Sequence, residues 1–351
     1  MERMSRVWAQ MAQVDYPAIL AEAWQQHLAP RADNAPTVIS IFAGAGGSSL
    51  GYSMAGFREL LAVEWDNNAV ETFKLNFPGI PVYHGDIAKL SVERCMELAG
   101  LTEPGQLDVL DGSPPCQGFS TAGKRVLNDP RNQLFQEYVR LLRGLQPRVF
   151  VMENVSGMVK GKMKLVFADI LRALKASGYK VSARLLNAMY FNVPQSRQRL
   201  IFIGVREDLG IAPSHPKAES RPITSGHACR DITDVSLGKP TLAVRKVSGL
   251  IRPGENAGKY TETGTAFSVS RLDAKKPSPT ITKNLAGMSG ILQFRGFGYL
   301  SEGQLKRLGS FPDDFVLIGS SQARWERIGN SVPPLFMRSI ALHIKREILA
   351  I

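Results

Sequence analysis

TVISIFAGAGG, residues 37–47, begins as a run of apolar and β-branched residues and ends with three glycines in four positions. A strand that feeds such a turn, where Gly44, Gly46 and Gly47 let the backbone fold tightly and come close to a ligand, is the opening of a doubly wound α/β sheet. Ser49 stands where a dinucleotide-binding fingerprint carries Gly or Ala, which lowers the nicotinamide reading. Working outward, ELLAVE, LDVLD, RVFVME and RLIFIGV repeat the strand character, with helical segments between most of them. That rhythm predicts a parallel sheet with helices on both faces.

Open sheets of this kind bind ligands outside the carboxyl ends of their strands, so the strand ends are read together. VEWD places Glu64 20 residues past Gly44, about the interval at which an acid meets a ribose hydroxyl pair, with Trp65 available for an adenine face. On its own that stretch reads more readily as a surface Glu beside a half-buried Trp. Asp86, in HGDI, either accepts from an adenine amino group or caps the helix that follows. LDVLD leads to Pro114, Pro115 and Cys116, and RVFVMEN delivers Glu153, so a thiol and a carboxylate reach one rim by separate strands. Most cysteines are small buried hydrophobes, as Cys95 inside SVERCMELAG is expected to be. Cys116 differs because a polar, glycine-containing tail follows it.

The chain has 351 residues, with 43 Lys+Arg against 31 Asp+Glu and a formal charge of +12, which favours a polyanion, nucleic acid first, as partner. Three widely spaced cysteines, Cys95, Cys116 and Cys229, make no disulfide framework and suit a reducing, cytoplasmic setting. The first residues carry polar groups where a signal peptide needs an apolar stretch, and no apolar run is long enough to span a bilayer, so no membrane is expected. His215, His227 and Cys229 lack the paired spacing of a zinc site, and no metal is expected. Residues 1–36 read as an appendage whose helix carries Trp8, Met11 and Leu20 on its apolar side. Residues 37–205 form the strand-and-helix domain, 206–324 a loop-rich second domain, and 325–351 a returning segment with a helix that Pro333 and Pro334 start.

The ordered set FAGAGG, VEWD, GDI, PPCQGFS, DPRNQLF, MENV, VPQSRQRLIFIG, RLDAKKPSPTIT and IGNSVPP resembles the cytosine-C5 DNA methyltransferase family of bacterial or phage type, across nearly the whole chain. The resemblance implies a Rossmann-like α/β sheet that binds S-adenosyl-L-methionine, and a smaller, loop-rich target-recognition domain. It also implies double-stranded DNA as substrate, a base flipped out of the duplex, and a pairing with a restriction or phage-defence system. Three positions depart from the family pattern: Ser40 stands where Asp is usual, Ser113 replaces a Gly, and Gln198 replaces a Glu. Ser40 leaves open how the methionine end of the cofactor is held.

By the same resemblance, Phe42, Ala43, Gly44, Gly46, Gly47, Glu64, Trp65, Asp86, Ile87, Pro115, Leu134, Asn330, Ser331 and Val332 line the cofactor pocket. Cys116 is the nucleophile, and cysteine suits that task because its pKa lies within reach of neutrality. Glu153 binds or protonates cytosine N3 as a positioned acid, Arg199 holds O2, and Arg197 helps fix the site. Gln117, Ser120, Lys124 and Arg125 belong to a lid that closes on DNA. Gln195 supports the loop carrying Cys116 on the DNA side, and Asn256, within IRPGENAGKY, is a candidate to approach the vacated base position. Two alternatives stand beside this reading. A tRNA cytosine methyltransferase is disfavoured because the Cys-Phe-Thr tripeptide of that branch is absent, and a non-catalytic DNA-binding relative because Cys116, Glu153 and Arg199 are all present.

Overall fold

The computed structural model describes residues 14–115, 133–159, 161, 163–262, 264, 266, 268–285 and 289–350. Trp8, Met11, Cys116, Gln117, Ser120, Lys124 and Arg125 lie outside them. Seven strands form the main sheet: β1 Thr37–Ile41, β2 Arg58–Glu64, β3 Val82–His84, β4 Val109–Gly112, β5 Val149–Val155, β6 Tyr179–Asn187 and β7 Gln198–Arg206. Their spatial order is 3-2-1-4-5-7-6. The sheet is parallel except for β7, which inserts antiparallel between β5 and β6. This corrects the all-parallel expectation. Residues 188–197 join β6 to β7 directly, with only a short 3₁₀ turn between them, and a parallel pair needs a crossover of a dozen residues or more.

Alternation along the strands divides the buried side chains between two faces. On one face Ile39, Ile41, Leu61, Val63, Leu110, Phe150 and Met152 pack with Cys95 of α4 (Val92–Ala99), Tyr138 and Leu142 of α5 (Gln133–Leu145), and Ile170 and Leu174 of α6 (Met163–Lys175). On the other, Val38, Val109, Val151, Ile201 and Ile203 pack with Leu20 of α1 (Tyr16–Leu28) and with Leu50 and Tyr52 of α2 (Gly47–Met54). Helix α3 (Asn67–Asn76) follows β2, and its Phe73 stacks on Phe77, the residue after its last turn, beside the first glycine turn.

The second face does not stop at the sheet. The same apolar cluster runs on through Ile223, Val244, Ile291, Leu305, Phe311 and Trp325 to Leu335, Phe336 and Ile340. Residues 206–324 therefore share a core with the strands instead of building their own. Where apolar side chains thin out, buried arginine takes over. Arg271, at the end of β8 (Ser268–Arg271, parallel to β9 Ser289–Leu292), donates to the carbonyls of Ser248, Ile251, Gln293 and Gly296. One guanidinium thus satisfies four carbonyls that a loop would otherwise leave buried and unpaired. The next helix, α7 (Glu302–Leu308), starts in a reciprocal capping box between Ser301 and Gln304. After it come α8 (Ser321–Asn330) and α9 (Pro334–His343). Gly51 lets α9 lie directly on α2, since a Cβ there would sit 2.6 Å from Met337 Cβ.

Helix α1, in the stretch read from sequence as an appendage that packs on the main domain, is bonded to the body at several points. Tyr16 Oη donates to the Arg307 carbonyl at 2.9 Å, His27 Nδ1 lies 2.8 Å from Ser53 Oγ, and Arg338 Nε donates to Gln26 Oε1 at 3.1 Å. Leu20 is 2 % exposed. Leu20→Ala is expected to cost about 2–4 kcal/mol in urea unfolding, whereas Leu185→Ala on the exposed side of β6 should change stability by less than about 1 kcal/mol.

Candidate active site

The carboxyl ends of β1, β2, β4, β5 and β7's N-terminal end meet along one rim. At β1 the chain turns sharply, with Phe42 at φ +57°, Gly44 at +57° and Gly46 at +91°. A positive φ at Phe42 is uncommon for a non-glycine residue and points to a constrained turn. A Cβ on Gly44 would meet nothing within 4 Å, so the space above it is open. A Cβ on Gly47 would meet the Val332 carbonyl at 2.6 Å, which shows how closely the returning segment lies on this loop.

Glu64 organises the turn. Its Oε2 accepts from the Gly44 amide at 2.7 Å and its Oε1 from the Trp65 and Asp66 amides, each at 2.9 Å. A carboxylate that binds three backbone donors fixes the relation between the ends of β1 and β2. Trp65, beside it, is 78 % exposed. Asp86 is exposed and accepts from the Ala88 amide at 3.0 Å as a helix cap, with Ile87 buried behind it. Leu134 is half-buried on the first turn of α5, and Pro115 is exposed at the end of the β4 segment. Ser331 Oγ donates to the Arg327 carbonyl at 2.6 Å, and Asn330 Nδ2 to Glu326 Oε1 at 3.3 Å. Arg327 Nη1 in turn reaches Asp66 Oδ1 at 2.6 Å, tying α8 to the start of α3. An open glycine turn, an acid at its edge, an exposed indole and a returning Asn-Ser-Val segment fit the adenosine and methionine ends of S-adenosyl-L-methionine.

On the other half of the rim, Asn154 Nδ2 donates to the Pro114 carbonyl at 3.3 Å, so the end of β5 steadies the turn that leads into residue 116. One residue earlier, Glu153 is buried and its Oε1 lies 2.6 Å from Arg199 Nε on the neighbouring strand β7. The Arg199 Nη1 donates to the Gln198 carbonyl at 2.8 Å. An acid and a planar donor fork are thus brought together at the strand ends, next to the polypeptide that carries Cys116.

Two residues named from the sequence as helping to fix the site and its loop, Arg197 and Gln195, lie inside the protein. Arg197 is 3 % exposed, and its Nη1 and Nη2 donate to the carbonyls of Ile281 and Gly329 at 2.9 and 3.0 Å. Burial first, and the nearby Arg199 charge second, lower its pKa to about 9, while Glu153 opposes the shift. Gln195 is 2 % exposed, with Nε2 donating to the Leu308 carbonyl and Oε1 accepting from the Ile281 amide. The two Nη groups of Arg197 and the Gln195 amide are spent on the backbone of residues 281–329, while Arg197 Nε is buried without a partner. Asn256 is half-buried against β8 through a backbone bridge to Ser270, with its Oδ1 buried. The sequence reading missed Asn154, although MENV contains it, and Arg327, which immediately precedes IGNSVPP.

Among the described residues no group of three or more His, Cys, Asp and Glu side chains is arranged to hold a metal ion, and no helix is long and apolar enough to cross a membrane. His215 Nε2 lies 3.2 Å from Ser182 Oγ, and His227 Nε2 lies 2.7 Å from the Val14 carbonyl.

Residues 36–346 match the family model described as C-5 cytosine-specific DNA methylase. The type II methyltransferase M1.HphI of Haemophilus parahaemolyticus is 35% identical over 324 residues, covering 87% of this chain and 85% of that protein. The type II methyltransferase M.NgoPII of Neisseria gonorrhoeae is 30% identical, covering 92% and 99%. Among solved structures, a DNA modification methyltransferase encoded within an E. coli prophage superimposes with a TM-score of 0.75 at 23% identity, covering 90% of this chain and 100% of that one.

Arg197→Met leaves two buried carbonyls unpaired and is expected to cost about 2–5 kcal/mol in chemical unfolding. A loss below about 1 kcal/mol would mean that Arg197 is not the staple described.

Proposed function

The chain belongs to the C-5 cytosine-specific DNA methylase family, and from that premise we propose that it methylates cytosine within one particular DNA sequence by way of a transient bond from Cys116 to C6 of a flipped base. The chain is a DNA (cytosine-5) methyltransferase whose methyl donor is S-adenosyl-L-methionine. The observation that carries the finer reading is the Glu153–Arg199 pair, held at 2.6 Å where β5 and β7 meet the segment leading into Cys116.

Cytosine C5 is too weak a nucleophile to accept a methyl group unaided. A thiolate from Cys116 adding to C6 pushes electron density onto C5, and that negative charge must be met as it spreads to N3. Glu153 is placed to hold a proton at N3 and to accept from the N4 amino group, while Arg199 turns its fork to O2. Before the base arrives the two side chains satisfy each other, so both are already oriented when it enters. S-adenosyl-L-methionine supplies an electrophilic methyl carbon on a sulfonium. Loss of the C5 proton then returns its electron pair to the C5–C6 bond and expels the Cys116 sulfur, restoring the free thiolate.

The positive excess of the chain supplies phosphate contacts, with Lys124 and Arg125 on the lid segment, while sequence choice falls to side chains between residues 206 and 271. Asn256 is in that stretch. Relatives named type II methyltransferases support a partnership with a restriction or phage-defence system in a bacterial cytoplasm.

DNA carrying 5-fluorocytosine at the target site should trap the enzyme on Cys116, because fluorine blocks the final elimination, and peptide mass spectrometry should place the adduct there. An adduct on Cys95 or Cys229 refutes the assignment. Mapping 5-methylcytosine in DNA from cells expressing the protein should reveal one short recurring sequence. Replacing residues 206–271 with those of a relative of different specificity, while keeping the stretch bonded to residues 194–197, should transfer the methylated sequence. A folded, active hybrid that keeps the original sequence would place recognition elsewhere.

A further inference from the structure

Beneath the glycine turn, on the face of the sheet that α2 covers, lies a row of buried acids that the proposed chemistry does not use. Ser40 on β1 and Asp111 on β4 are direct register partners, so their side chains lie side by side. Asp111 is 3 % exposed. From α2, Tyr52 Oη donates to Asp111 Oδ1 at 3.4 Å, and Ser48 is a second hydrogen-bonding neighbour. On β2, next in the sheet, Glu59 is buried opposite Val38. Both Glu59 carboxyl oxygens, Ser40 Oγ and Ser49 Oγ are buried without a hydrogen-bond partner of good geometry, although Ser40 and Ser49 stand close enough to Glu59 to favour its charged form. On β5, Glu153 lies diagonally from Asp111 along the same face.

Buried acids without a cation must be held by donors or stay protonated. Desolvation raises Asp111 to about 7 and Glu59 to about 8; the charge of Glu153 adds to the rise at Asp111 while Ser48 and Tyr52 oppose it, and the charge of Asp111 adds to the rise at Glu59 while Ser40 and Ser49 oppose it. Among the described residues, the groups that interact with Asp111 are its register partner Ser40, Glu59, Ser48, Tyr52, Tyr138 of α5 and Glu153, and none of these is a cation.

We propose that Asp111 is a positioning residue for the cofactor, binding the first turns of α2 to the strand that leads into Cys116 and occupying the place that an acid at position 40 would otherwise fill. The argument is geometric. The start of α2 continues the glycine turn, whose Gly47 touches the Ser331–Val332 segment, so moving α2 moves the methionine end of the pocket. Asp111 is the side chain from β4 that α2 itself grips, and Ser40, too short to reach the same donors, sits in register beside it. The inference rests on the methyltransferase reading for the identity of the cofactor, but not on the covalent step at Cys116.

The test is calorimetric binding of S-adenosylhomocysteine to the full chain without DNA, a readout that Cys116 does not enter. Asp111→Ala, folded by circular dichroism, should bind at least about tenfold more weakly, the scale of one lost buried hydrogen bond. Asp111→Asn, which keeps the shape and a hydrogen-bonding amide, should stay within about threefold of wild type. The exchange variant carrying Ser40→Asp and Asp111→Ser should recover most of the loss. A folded Asp111→Ala protein that binds like wild type overturns the proposal, as does an exchange variant that folds and binds no better than the alanine variant. Should the alanine variant fail to fold, the asparagine variant decides through pH. A folded Asp111 that keeps its proton to about 7, against about 4 when unfolded, makes wild-type stability decline as pH rises across that window and level off above it. The melting temperature of Asp111→Asn relative to wild type should therefore climb between pH 5 and pH 8. A difference that does not change with pH would show that Asp111 is not held as described.

Discussion

Arg197 keeps its guanidinium in the interior, between carbonyls that lie 84 and 132 residues further along the chain. A buried charge of this kind is held by the acceptors its Nη groups find, and backbone carbonyls can move only if the segments they belong to move. The approach to β7, the stretch around Ile281 and the C-terminal turn of α8 are thereby brought to one point. Everything at the rim follows from that junction. Arg199, two residues on, faces Glu153, and the residues just after Gly329 lie against the glycine turn.

The same device recurs at Arg271 and Arg307, one serving four carbonyls and the other pairing with Asp231 and Asp313 as well as the Ala228 carbonyl. In a region poor in regular structure, a planar group with five donors satisfies carbonyls that no strand partner reaches. The formal charge of the chain thus overstates what is available to a polyanion, because several of its arginines are spent on holding loops together.

Much of this was legible in the sequence. The five apolar runs are strands, and the motifs at their ends do gather along one edge, because β-branched runs ended by glycine, proline or acid leave little choice. Strand β3 is three half-exposed or exposed residues and β6 an edge strand interrupted by Lys180 and Arg184, so neither shows a clean apolar run. The reversed direction of β7 was not readable, since an apolar run looks the same whichever way it lies. Nor was the contrast between Arg197 and Arg199. A period of two puts them on one side of a strand, but only tertiary packing decides which is buried and which reaches the rim. Asp111 was visible as a charged residue closing a strand, yet nothing local reveals that its register partner is Ser40.

The close seating of α9 on α2 at Gly51, and of Val332 on Gly47, bears on how the protein is made. The glycine turn is translated well before the surface that completes it, so the contacts that close the pocket join segments far apart in the chain. A growing polypeptide therefore carries Cys116 and Glu153 before it has the segment that closes on the methyl donor. The turn gains its cover only once Ser331, Val332 and α9 have been made and have packed against it.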